Sequence, residues 1–134
     1  MHFVPLLFDD NGRDLKLLAG HGYSCHVCVL RPKSRGQVSL RSSNPTDSVK
    51  INFNFFEKEQ DAKVLVNGIR VVRKILATQA FDEYRGKEIH PGVDAQSDDA
   101  ILKKCKERLG LVYHPVGTCK MGNDAMAVVD DALR

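Results

Sequence analysis

This sequence predicts an α+β fold, an antiparallel sheet of short strands with two main helices packed on it. Apolar residues alternate at period two in the first half and change to three-four spacing in the second. Clusters of Gly, Pro, Ser, Asn and Asp cut the first half into short pieces. A chain of 134 residues is long enough for one domain and too short for two of ordinary size, so residues 1–134 are expected to form a single unit.

Turns are expected at Asp9 to Gly12, Gly20 to Gly22, Lys33 to Gly36 and Ser42 to Asp47. Between them, Cys25, Val27 and Val29 alternate with His26, Cys28 and Leu30. Gln37 to Arg41 follows Gly36, and Val49 to Phe53 alternates again, which reads as a meander of short antiparallel strands. The period then changes. Ala62, Leu65, Ile69, Val72 and Leu76 mark the buried stripe of an amphipathic helix over Lys58 to Ala77. A second helix has its boundaries spelled out. Ser97 is the N-cap, Asp98 and Asp99 face the positive end, Ile101, Leu102, Cys105 and Leu109 form the stripe, and Gly110 is the stop.

Composition narrows the function classes. Apolar residues at 43% and charged residues at 28% fit an ordinary globular protein. No apolar run approaches the roughly 20 residues a membrane helix needs. Met1-His2-Phe3-Val4-Pro5 shows neither a basic n-region nor a long apolar h-region, so a secretory signal is not expected. The net charge of +3 comes from scattered side chains, whereas nucleic-acid binding needs a basic face, so that partner class is not expected. Four cysteines without a signal suggest reduced thiols and a cytoplasmic setting.

Two short motifs have bland explanations. Cys25-His26-Val27-Cys28 has the spacing of a zinc knuckle. On a strand, however, its cysteines fall on opposite faces, and no second pair completes four ligands. Gly20-His21-Gly22 begins like a dinucleotide loop but runs into a strand rather than a helix. The segment from Val112 to Gly122 is different, because His114, Pro115, Gly117 and Gly122 follow directly on a capped helix. Proline pushes His114 toward extended backbone and the glycines permit close turns, so the loop can hold an imidazole in one orientation. Such a histidine suits proton abstraction from an alcohol; a structural or surface histidine is the other reading.

The run Tyr113 to Gly122 resembles the active-site histidine motif of the glucose-methanol-choline flavoprotein oxidoreductases, in particular the choline dehydrogenase and related alcohol dehydrogenase branch. Leu30 to Gly36, Val66 to Arg70, Glu88 to Gly92 and Ala127 to Asp130 resemble further family segments in the same order. The resemblance implies that His114 is catalytic, activating an alcohol whose carbon passes a hydride to FAD. His2 is similar in position to a second active-site histidine of choline-oxidising relatives and is a candidate substrate-binding residue.

The departures shape the expectation as much as the matches. The family's glycine-rich flavin-binding segment and the polar residue it places beyond the exit strand have no counterpart in these residues. The implied molecule is a substrate-binding domain fragment with no bound cofactor of its own, inactive alone. Its partners would be an alcohol and the flavin domain missing from this sequence, in a cytoplasmic parent enzyme that can associate peripherally with a membrane. A stand-alone binding or interaction module of the same fold is the alternative. In the fragment, apolar residues near Val112, Val116, Met121 and Val128–Val129 would lose the cover of the flavin domain, so self-association is expected, with Cys119 to Met126 partly disordered; a clean monomer would instead favour the stand-alone module.

Overall fold

A computed structural model describes residues 1–7 and 20–134; the turn expected at Asp9 to Gly12 lies outside them. The described residues form four short strands and two main helices: β1 (His2–Val4), β2 (Ser24–His26), β3 (Gln37–Ser39), β4 (Lys50–Asn52), α1 (Glu59–Leu76) and α2 (Asp98–Glu107). The arrangement is α+β, as the change of period predicts. The single meander is not observed. Among the described residues β1 pairs with β2 and β3 with β4, both antiparallel, in two separate two-stranded sheets. The chain divides into two compact units, one of Met1–Lys33 with Lys58–Gly110, the other of Ser34–Glu57 with Leu111–Arg134.

In the first unit the core forms where α1 meets α2. Val66, Ala95 and the fully buried Ile101 make its centre, with Ile69, Ala100, Leu102 and Cys105 packed around them. Burying a side chain the size of Ile101 contributes about 1.5–3 kcal/mol. The α1 stripe follows the predicted spacing at Ala62, Leu65 and Val72, and it also buries Val66 and Asp61. Asp61 is stable there because its carboxylate accepts the backbone N–H of Lys33 at 2.8 Å. Mid-helix Gly68 costs helix propensity, yet a Cβ at that position would stand 2.5 Å from Cγ1 of Val27. Only glycine lets the helix approach the chain leaving β2 so closely. In α2 the predicted cap is in place, with Ser97 Oγ accepting the Ala100 amide at 3.1 Å.

The β1–β2 ladder sets His2 opposite His26, Phe3 opposite Cys25 and Val4 opposite Ser24. Phe3 adds its ring to a cluster with Tyr23 and Phe81, centroids 5.5 and 6.2 Å away. Offset aromatic contacts of this kind are worth about 0.5–1.5 kcal/mol beyond the area they bury.

In the second unit the β3–β4 hairpin pairs Val38 with Ile51, flanked by Gln37 with Asn52 and Ser39 with Lys50. Alternation puts Val38, Leu40, Val49, Ile51 and Phe53 on one face, and all of them are exposed within the chain. The hairpin tip is tied by Ser42 Oγ donating to Asp47 at 2.6 Å and Asn44 Nδ2 donating to Asp47 at 3.1 Å. Farther along, Met121 and Val129 form a parallel bridge. Gly122 N–H donates to Val129 O and Val128 N–H to Lys120 O, both at 3.0 Å. The segment Cys119 to Met126, expected to be partly disordered, is therefore hydrogen-bonded from Lys120 onward. Asp124 explains why, since its carboxylate accepts the Met126 amide at 2.9 Å and pairs with Lys120. A short acidic side chain that organises its own turn needs no apolar packing.

Candidate functional site

His114 lies in the second unit, in the loop that follows α2. Tyr113 immediately before it adopts a left-handed φ of 62°, and Gly117 has a φ of 100°. A bulky residue such as Tyr113 pays for that conformation, and backbone held in it concentrates at functional loops. With Pro115 on its other side, His114 sits at a sharply turned point of the chain. Its side chain is exposed, and among the described residues nothing hydrogen-bonds or ion-pairs with the imidazole. Both ring nitrogens are therefore available to a ligand. Downstream, the Lys120–Asp124 pair and the Met121–Val129 bridge close the loop into a hydrogen-bonded turn.

His2 lies in the first unit, on β1, facing His26 across the ladder. The two candidate histidines thus belong to different compact units. His26 drew notice in the sequence only as the middle of the Cys25–Cys28 motif. The structure makes it the half-buried partner of His2, with an imidazole pKa pushed below the ordinary histidine range first by burial and second by the charge of His2. His26 also lines an open cleft of about 1540 Å³ whose wall includes Phe3, Tyr23, Phe81, Arg73 and Glu88. No local signal could have marked it, because its surroundings come from β1 and α1, both remote in sequence.

The cysteine motif does not gather ligands around itself. β2 ends at His26, so Cys28 lies beyond the ladder. Cys25 Sγ instead lies 3.7 Å from Met1 Sδ, and burial pushes its thiol pKa up while the terminal ammonium lowers it. All four cysteines are free thiols. Among the described residues no group of three or more His, Cys, Asp or Glu side chains is placed to hold a metal ion. No helix among them is long and apolar enough to cross a membrane.

Among the described residues, neither main helix offers the N-terminus on which a flavin domain seats the FAD pyrophosphate. The glycine-rich dinucleotide sites of flavin domains set the pyrophosphate on a helix N-terminus with open amides and a favourable positive end. Here α1 begins with Glu59 and Asp61, and α2 with Asp98 and Asp99 behind the Ser97 cap. Carboxylates at both positive ends repel a pyrophosphate.

The chain is similar to known proteins along nearly its whole length. Over 133 residues, 99% of the chain, it is 41% identical to an alcohol dehydrogenase [acceptor] of Pseudomonas putida, of which it covers 24%. It is 42% identical over 133 residues to an oxygen-dependent choline dehydrogenase of Cronobacter sakazakii, covering 23% of that protein. Over 129 residues it is 41% identical to an oxygen-dependent choline dehydrogenase of Escherichia coli, again covering 23%. The chain spans about a quarter of the length of these relatives. Residues 32–134, which include both helices, the β3–β4 hairpin and the whole His114 loop, match the GMC oxidoreductase family, to which this chain belongs.

Proposed function

We propose that this chain is the substrate-binding, catalytic-histidine portion of an FAD-dependent alcohol dehydrogenase of the choline-oxidising kind, and that it is inactive by itself. The observation that carries this reading is the exposed imidazole of His114, at a sharply turned loop between Tyr113 and Pro115, in a chain whose relatives are named for alcohol and choline oxidation. Oxidising a CH–OH group removes a proton from oxygen and a hydride from carbon. A neutral imidazole takes the proton, and the hydride needs an acceptor for which these residues offer no cradle. GMC oxidoreductases are FAD-dependent as a family, so a flavin domain is the partner this portion works with, and a small alcohol is the substrate. His2 serves as a second substrate-side histidine. The setting is cytoplasmic, in keeping with four free thiols.

The test is His114→Ala in an enzyme assembled with a flavin domain. Flavin reduction by the alcohol should slow by about 100-fold or more with flavin content unchanged, the loss expected for a positioned proton acceptor. Unchanged reduction would remove His114 from the mechanism. The chain by itself, mixed with FAD, should show no stoichiometric flavin absorbance.

The fragment reading also bears on assembly, because the second unit exposes apolar side chains. Val116 is 93% exposed, Met126 76% and Leu133 71%. Monomers seldom leave such groups together in water, so we expect the chain to self-associate. Light scattering that finds a clean monomer across the micromolar range would favour the second reading, a stand-alone binding or interaction module of the same fold.

A further inference from the structure

Residues directly opposed on an antiparallel ladder carry their side chains on the same face with Cβ atoms about 4.5–5.5 Å apart. That is the relation of His2 to His26, with Val4 and Ser24 next along the same face. Like charges placed this way repel, and a two-stranded ladder is marginal even without them. Here each strand is three residues long. The cleft wall that His26 shares contributes further charge: Arg73 from α1, Glu83, Arg85, Lys87 and Glu88 from the segment after it, and Glu107 and Arg108 from the end of α2. Arg73 is bound to Glu88, and Arg85 to Asp82. His21 and His90 are the other histidines of that wall.

We propose that His26 is a positioning residue for His2, and that the two form a proton-sensitive clasp on strand β1. One proton on the pair is tolerated; a second drives β1 off β2. Release would also withdraw Phe3 from Tyr23 and Phe81, opening one wall of the cleft. The bearing of the clasp on catalysis rests on reading His2 as a substrate-side residue, whereas the clasp itself rests on the ladder register alone. Burial and the neighbouring His2 charge both lower the His26 pKa, which agrees with a pair that resists a second proton.

Nuclear magnetic resonance on the 134-residue chain tests this without any activity assay. In the wild type the His26 ring should titrate below an ordinary histidine. Exchange of the β1 amides, corrected for intrinsic rates, should quicken about tenfold or more between about pH 7.5 and about pH 5. His2→Gln should raise the His26 midpoint by about half a unit and hold the change in exchange within about threefold. His26→Gln should flatten the exchange profile in the same way; if that variant fails to fold, His2→Gln alone decides. An unmoved His26 midpoint in His2→Gln, or β1 exchange that is flat with pH in the wild type, overturns the proposal. The effect of His2→Gln on alcohol turnover in the assembled enzyme tests the substrate-side role separately.

Discussion

Arg73 grips Glu88 with two hydrogen bonds, Nε to Oε2 at 3.0 Å and Nη2 to Oε1 at 2.6 Å, while the same guanidinium donates to the carbonyls of Ala95 at 2.8 Å and Gly92 at 3.1 Å. One side chain of α1 thus fastens the whole segment that leads into α2. The pair is mostly buried, with side chains 21% and 28% exposed, and the fork geometry is one that lysine cannot reproduce. Arg73→Lys should cost about 2–3 kcal/mol, the scale for breaking a largely buried pair after a discount for partial exposure. Urea denaturation would measure it, and a loss under about half a kcal/mol would show that the segment is held by packing alone.

Gly68 makes the opposite kind of prediction. On helix propensity alone Gly68→Ala should stabilise α1 by about 1 kcal/mol. The new methyl would meet Val27, a stiff β-branched side chain, at 2.5 Å. The variant should therefore be destabilised by about 1–3 kcal/mol. Adding Val27→Ala should recover part of that loss, and a strictly additive double variant would rule out the clash as its cause.

Ser97→Ala should lower stability by about 1 kcal/mol, because the Ala100 amide loses its side-chain acceptor at the start of α2. Ser97→Asp should restore most of it. Thermal melts of the three proteins at neutral pH would give the order.

Stability should also depend on pH through His26. Its folded pKa lies below the unfolded value of about 6.5. Below that value the unfolded chain takes up a proton that the folded chain refuses. The stabilisation is therefore complete above about pH 7 and is lost progressively as pH falls through 6.5 toward the folded pKa. Urea midpoints measured down this range should fall in the wild type and fall less in His26→Gln. Equal slopes would place the acid sensitivity elsewhere.

What could be read directly from the residues was local. The Ala62, Leu65 and Val72 stripe, the Ser97 cap with Asp98 and Asp99 behind it, and the turn at Ser42 to Asp47 are each specified within a few positions by helix period, dipole complementarity or side-chain bonding to nearby backbone. The His114 loop was legible for the same reason, as a histidine between turn-forming neighbours, and so was the family resemblance carried by contiguous motifs. Tertiary structure decided what depends on partners far apart in the chain. β2 pairs back to β1 rather than onward to β3, because a three-residue strand carries too little pattern to choose its neighbour, and long-range register makes the choice. Asp61 is buried only because the Lys33 amide arrives to meet it, and Gly68 is needed only because Val27 passes so close. His26 becomes the partner of His2 only through the register of that ladder. Each of these is a contact between residues twenty or more positions apart, where no periodicity in a single stretch of sequence can carry the information.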